Sequence, residues 1–543
     1  MKPARGPLHL LKSTLVLLAI GSCTGISYAS ELPGGNAPEK LGTVRFPISC
    51  NDAAQAHFSR AVALLHSFYW PEARKSLAEA SKEDPGCAMV HWAHAMASMG
   101  NPYAWPLTGK SLREGLASVE MARQLMPKTD RERDYIAAAE YFYKDSEKIP
   151  AQTRQLAYEL AMSKVAAIYA DDTEAQIFYA LALSANYDPN DKAYRNQLAA
   201  AKILETVLAE KPDHPGVSHY LIHCYDSPPL AQRGLASAYR YRDIAPSAPH
   251  ALHMPSHIFT RLGMWDDSIA ANTAVLNATR DSSGRLHSWD YMGYAYLQKA
   301  QDEDAKRVLG EIQALRKIDG ENFGAAYALA AIPSRMALER QRWSEAASLK
   351  LPISEFDFGW QQFPHAEAIM VYARALGAAR LGKVAAAKQD AARLVTLKAA
   401  MLEAKQFYWV DQADIQIQTV NAWIAHASGK RQEALRLLRE AADHEDGTEK
   451  SAVTPGPIIP VREQLGDMLM AMKQSRQALA EYEKAIGKEP NRFRSLYGAA
   501  RAAEAIKDAT VAQKYYEKLL ASANNPQGVH EEMRRARQYL ARR

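Results

Sequence analysis

At 543 residues the chain exceeds what a single hydrophobic core organises, so it must be several domains or one extended array. Its 48% hydrophobic and 23% charged residues are the composition of a soluble globular protein, which excludes a disordered or low-complexity chain. Of the formal net charge of +5, three units belong to Lys2, Arg5 and Lys12 in a leader without acidic residues. The remaining +2 gives no electrostatic case for nucleic acid or acidic lipid.

Residues 1–29 read as a signal peptide. The basic start precedes the apolar run Leu15-Val16-Leu17-Leu18-Ala19-Ile20, and Ser27 and Ala29 form a Ser-x-Ala cleavage pattern, with the mature chain beginning near Ser30. The alternative is a lipobox-like Ile20-Gly21-Ser22-Cys23, which would leave a lipid anchor on Cys23. No later segment has the roughly 20 apolar residues that a membrane span requires. A periplasmic or cell-envelope location is the expectation. Export leaves Cys50, Cys87 and Cys224, of which Cys50 and Cys87, each near the start of a predicted helix in successive repeats, are the pair expected to bond.

After a linker at 30–50, the pattern is of all-α hairpins repeating about every 34 residues. Repeats are expected at 51–102, divergent helical hairpins at 103–171, central repeats at 172–318 and irregular repeats at 319–442. A Pro-rich loop at 443–460 and C-terminal repeats with a capping helix at 461–543 complete the chain. The last group is clearest. Counting from Ile459, Leu465, Gly466, Leu469, Ala478, Tyr482, Ala485 and Pro490 fall at positions 7, 8, 11, 20, 24, 27 and 32. Small residues at 8 and 20 let two helices approach, large ones fill the gaps, and Pro ends the second helix. From Leu286, Trp289, Gly293, Tyr296 and Ala305 fall at 4, 8, 11 and 20.

These positions resemble the tetratricopeptide repeat (TPR) family over nearly the whole mature chain. The resemblance implies a right-handed superhelical solenoid whose first helices line a concave groove, a surface suited to a protein or peptide partner. Two Pro-rich interruptions, Leu351 to Pro364 and Gly447 to Pro460, are expected to be tolerated surface insertions, although long loops in a regular array are often functional.

Six of the sixteen histidines lie between His214 and His257. Spacings of three and four residues put His219 and His223, and His250, His253 and His257, on single helix faces. Counted from Pro215, His219 and His223 take positions 5 and 9 and Asp226 position 12; counted from Pro249, His250, His253 and His257 take 2, 5 and 9. In the following repeat His287, Asp290 and Tyr294 take 2, 5 and 9. The TPR resemblance implies that positions 2, 5, 9, 12 and 13 face the groove. Neutral imidazoles so placed are ligands for Zn, Cu or Fe, and carboxylates can ligate or orient a ring. Two His trios would suit a dinuclear centre of the kind type 3 copper proteins use, an analogy of spacing alone. The candidate metal-binding set is therefore His219, His223, His250, His253, His257, His287, Asp226 and Asp290. His-Glu-x-x-His, Cys-x-x-Cys-His and a phosphate-binding glycine loop do not occur.

The run His214-Pro215-Gly216 through His223, the run Pro249 to His257, and Val453-Thr454-Pro455-Gly456-Pro457 resemble a group of exported bacterial TPR proteins with a His-rich segment. In that group a His is expected ahead of Val453, where this chain has Ser451, so the resemblance gives the loop no ligand role. The functional expectation is a groove that binds a transition metal or a metal-dependent ligand, as a binding protein rather than an enzyme. The alternatives are a metal-free protein-interaction scaffold and a metal-dependent hydrolase or oxidase.

Overall fold

The computed structural model describes residues 38–104, 107, 109–319, 322–351, 358–523 and 530–542; the expected signal peptide and Cys23 lie outside them. Lys40–Arg543 forms one compact unit. Among the described residues it contains twenty-six α-helices, two 3₁₀ turns and no strand. Consecutive helices pack on one another as hairpins in a TPR-like array. Asp52–His66 pairs with Trp70–Glu83, Pro215–Tyr225 with Ala231–Ile244, and Val461–Ala471 with Ser475–Lys488.

Local chemistry sets these elements. Asn51, Asp172 and Asp281 cap helices by accepting amide protons of the first turn, and Pro215, Pro249 and Pro364 stand where a helix needs no donor. Between the helices of a hairpin one residue turns left-handed, a conformation glycine adopts without strain: Gly263, Gly382 and Gly429 do this, while Phe68 does it at φ 52°. The consensus contacts are present as well: a Cβ added to Gly466 or Gly498 would strike the Tyr482 ring at 2.7 or 2.4 Å.

Three features differ from the sequence expectation. The described part of the supposed linker is packed. Phe46 is buried against Phe58, Trp92 and Tyr135, Thr43 N–H donates to the Asp213 carbonyl, and Ser49 binds the Glu132 carboxylate through N–H and Oγ, both at 2.6 Å. Cys50 and Cys87 are disulfide-bonded, Cα–Cα 5.5 Å, which ties this strap to the second hairpin. Second, the first helix of the repeat that starts at Pro249 is split into Pro249–His253 and Pro255–Arg261, because Pro255 has no N–H to continue the ladder.

Third, the array closes on itself. Trp265 Nε1 donates to the Asn491 carbonyl (3.0 Å), Asn491 Nδ2 donates to the Gly263 carbonyl (3.2 Å), and buried Arg492 reaches Tyr294 (2.8 Å) and Glu339 (2.7 Å). The Pro-rich segment is drawn in and is no surface insertion. Thr454, Pro455, Gly456, Ile458, Ile459 and Pro460 are buried, and the Gly456 carbonyl accepts from Arg335 at 2.9 Å. Of the other interruption, 352–357 lies outside the described residues.

Gly263 makes the closure possible. Its φ is +66°, and a Cβ there would meet the Pro490 carbonyl at 2.5 Å. Gly263→Ala is expected to cost about 1–3 kcal/mol through overpacking and a strained backbone. A lowered urea midpoint checks this, together with faster proteolysis between the central and C-terminal repeats.

Candidate metal centre

The structure gathers the six candidate imidazoles into two adjoining groups of three. His219, His223 and His250 form one, and His253, His257 and His287 the other; in each, one donor atom per residue lies within 4.8 Å of the other two. Both groups follow one rule. Positions 5 and 9 of a repeat are joined by position 2 of the next, so the same three positions build a set twice, one repeat apart. The groups meet edge to edge, with ring centroids 6.0 Å apart for His223–His257 and for His250–His253.

In the first group the His219 Nδ1–H donates to the His66 carbonyl (2.6 Å), which leaves its Nε2 as a lone-pair acceptor. The Nε2 atoms of His219, His223 and His250 are all buried without a hydrogen-bond partner. Aromatic rings wall them in: Tyr103 stacks on His223 at 4.0 Å, Tyr241 on His219 at 5.2 Å, and Phe68 packs on His219 at 4.4 Å and His250 at 5.5 Å. Phe68 is the residue that takes the glycine-like turn conformation, a cost of about 1–2 kcal/mol that places its ring against the imidazoles.

The second group is oriented more firmly. Asn272 Nδ2 donates to the Ser268 carbonyl, so its Oδ1 accepts from His253 Nδ1 at 2.7 Å. His257 Nδ1–H donates to Asp226 Oδ2 at 2.9 Å. With both Nδ1 protons committed, the Nε2 lone pairs of His253 and His257 face each other at 3.1 Å. Two lone pairs at that distance repel, and a shared cation or a proton donor such as the Tyr291 hydroxyl relieves this. His287 closes the group, its centroid 4.2 Å from that of His253.

Burial, reinforced by neighbouring imidazoles, pushes His219, His223, His250, His253 and His287 well below the usual histidine range, and burial lowers His257 too, against the pull of Asp226. The rings are thus neutral, the form that ligates metal.

The candidate carboxylates stand outside both groups. Asp226 is behind His257, held by Lys450 Nζ at 2.6 Å and Arg261 Nε at 3.1 Å. Burial acts to raise its pKa, but Lys450, His257 and Arg261 outweigh that and keep it ionised. Its position is that of a carboxylate orienting a metal-ligating imidazole. Asp290 is turned away into a buried ion pair with Arg335. Tyr294 is likewise occupied by Glu489 (3.0 Å) and Arg492 (2.8 Å). The partner of Asp290 comes from the next repeat and those of Tyr294 from a C-terminal one, and local spacing reveals neither. Conversely, Tyr291 was not singled out by sequence, yet its hydroxyl lies 3.3 Å from His257 Nε2; the legible signal is its place four residues after His287.

A third cluster lies behind the first group. Glu174 accepts from His66 Nε2 (2.8 Å) and His214 Nε2 (2.9 Å), while His66 Nδ1 meets the Tyr220 hydroxyl (3.0 Å) and His214 Nδ1 accepts from Gly216 N–H (3.2 Å). Every ring nitrogen here is partnered, so the cluster is a brace. It fixes His66, whose carbonyl in turn orients His219. A Cβ at Gly216 would strike His66 Nδ1 at 2.6 Å, so only glycine admits helix 215–225 this close.

No protein-family model matches the chain, and neither does any curated protein. Solved structures similar to it include Naa15/Naa10 bound to HypK-THB, at 13% identity over 90% of this chain and 74% of that one, with a TM-score of 0.24. The human IFIT1 dimer with m7Gppp-AAAA (11% identity, 88% and 96% covered, TM-score 0.35) and yeast Tom70 (13%, 90% and 96%, 0.34) are others. Scores this low extend to no ligand and no activity.

Glu174 supplies a pH test of the brace. Burial acts to raise its pKa, yet His214 and His66 hold it down at about 2, below its ordinary 4.5. A depressed carboxylate contributes stability above its unfolded pKa and loses it as pH falls toward the folded one. Unfolding midpoints are expected to drop between about pH 4.5 and 2 in the parent. Glu174→Gln is expected to be less stable at neutral pH and to lose that part of the acid dependence.

Proposed function

We propose that this is an exported, periplasmic or envelope TPR-type protein whose interior binds transition metal through its two tri-imidazole groups. One observation carries the reading: His219, His223 and His250 each keep a buried Nε2 without a partner, and one ring nitrogen from each lies within 4.8 Å of those of the other two. Each unpaired buried acceptor costs about 1–3 kcal/mol. Three converging ones are paired at once by a single cation. The 3.1 Å between His253 and His257 Nε2 supports the same reading for the second group, since ligands about 2.0–2.1 Å from one ion stand about that far apart.

Half of the ligands are enclosed rather than displayed in an open groove: His219 is fully buried, and His253 and His257 are 2% exposed, while His223, His250 and His287 are half-buried. That enclosure favours a resident ion over a transient protein partner at this place. The array's remaining surface is of the extended kind suited to protein binding. Export is supported by the leader and by the Cys50–Cys87 bond, which an oxidising compartment sustains. N-terminal analysis of the mature protein decides the form: Ser30 for the released chain, a modified Cys23 for the anchored one.

Metal analysis of tag-free protein after reconstitution is the test. At least one tightly bound ion per chain is expected, with loss on changing His223 and His257 to Ala. Less than about half an equivalent in the parent, or full occupancy in the double variant, overturns the proposal. Asp226→Asn is expected to keep the number of ions while lowering affinity about 10–100-fold, the usual cost of losing an orienting carboxylate; competition with a chromogenic chelator measures it.

A further inference from the structure

The proposed centre has an unusual charge balance, and this limits what it holds. Its six ring donors are neutral, and neither group includes a carboxylate among the described residues. The nearest ionised acid, Asp226, already faces two cations, Lys450 and Arg261. Asp290 is neutralised by Arg335. Two divalent ions would therefore place four positive charges in a buried space with nothing to offset them, at a steep desolvation cost. Two conditions relieve that cost. The ions can be singly charged, or a small anion can lie between them.

Cuprous copper satisfies the first condition and, by its reaction with dioxygen, generates the second. Imidazole donor sets suit copper. The two groups adjoin, and each supplies three donors, which leaves each ion a coordination position for a further ligand. A cavity of about 50 Å³, lined by His223, Asp226, Lys450, Tyr103 and Tyr187, reaches the first group. Of the six imidazoles it touches only His223, and at about 10–15 Å³ per water it has room for a diatomic molecule to approach that ring.

Resting on the metal reading above, we infer that the two groups hold a pair of cuprous ions that together bind dioxygen. Each copper gives up one electron. Dioxygen takes both and becomes a bridging peroxide dianion, no proton is consumed, and the four positive charges of the resulting cupric pair fall to a net two. Loss of dioxygen returns both electrons to copper. The ligand class is thus a small diatomic gas; Asp226 and Asn272 hold His257 and His253 in the second group, and the His66 carbonyl holds His219 in the first, each leaving Nε2 as the donor.

The test is an anaerobic titration of the tag-free full chain with cuprous copper, followed by air. Expected are two tight equivalents, uptake of one dioxygen per copper pair, a new near-ultraviolet absorption, and an electron paramagnetic signal far below the copper content because the oxidised pair is coupled. His287→Ala, in the second group, is expected to hold one copper and take up no dioxygen; His250→Ala, in the first, is expected to do the same, so that one misfolded variant does not decide the matter. Two coppers without dioxygen uptake overturn the inference, as does zinc binding without cuprous binding; both leave the metal reading standing. Binding of neither metal removes both.

Discussion

An imidazole that donates its Nδ1 proton has only a lone pair left at Nε2, and the whole centre follows from where those protons go. The His66 carbonyl, Asn272 Oδ1 and Asp226 Oδ2 take the protons of His219, His253 and His257. Each acceptor is itself fixed from behind. Glu174 braces His66, Ser268 orients the Asn272 amide, and Lys450 with Arg261 clamps Asp226. Three lone pairs are thereby aimed inward in surroundings too apolar to protonate the rings. Such a network gains from the pairing of its polar groups, and the outer partners hold all three acceptors, although Arg261 Nη2 is itself buried without a partner.

This requirement explains why the solenoid closes. Arg261 contacts Asp226 with one side of its guanidinium and Glu489, at the end of a C-terminal repeat, with the other (3.5 Å). Lys450 reaches Asp226 from the Pro-rich segment, and Glu449 beside it binds Lys192 and Tyr194. An open array would leave Asp226 in water, where its grip on His257 would be weak and screened. Folding back the C-terminal third supplies Lys450 from 224 residues away, beside Arg261 from 35 residues away, and removes solvent in the same movement.

How much of this was legible follows from the distance between partners. Hairpins and register were legible because the TPR positions are local: Gly466 against Tyr482 and the imidazoles at positions 2, 5 and 9 need only a period of about 34. The grouping was half legible. Sequence put the six histidines on neighbouring helices, but the structure sorts them across repeat boundaries, with His250 joining His219 and His223. The split at Pro255 and the left-handed Phe68 adjust those positions. The parts played by Asp226 and Asp290 were not legible, because Lys450 and Arg335 decide them, and no spacing rule connects residues 226 and 450. The closure was hidden for the same reason, since Gly263 reads as an ordinary turn glycine until Pro490 is seen beside it.

A repeated fold also explains why there are two groups rather than one. A site built from positions 5 and 9 of one repeat and position 2 of the next is copied whenever the next repeat carries the same residues. Translation along the array then sets the copies side by side. The copies are not equivalent, however. His219 leans on a neutral carbonyl, whereas His257 leans on an ionised carboxylate, which makes its Nε2 the stronger electron donor. That carboxylate is itself held by Lys450 and Arg261, so the two groups differ in the donor strength of one imidazole rather than in net charge.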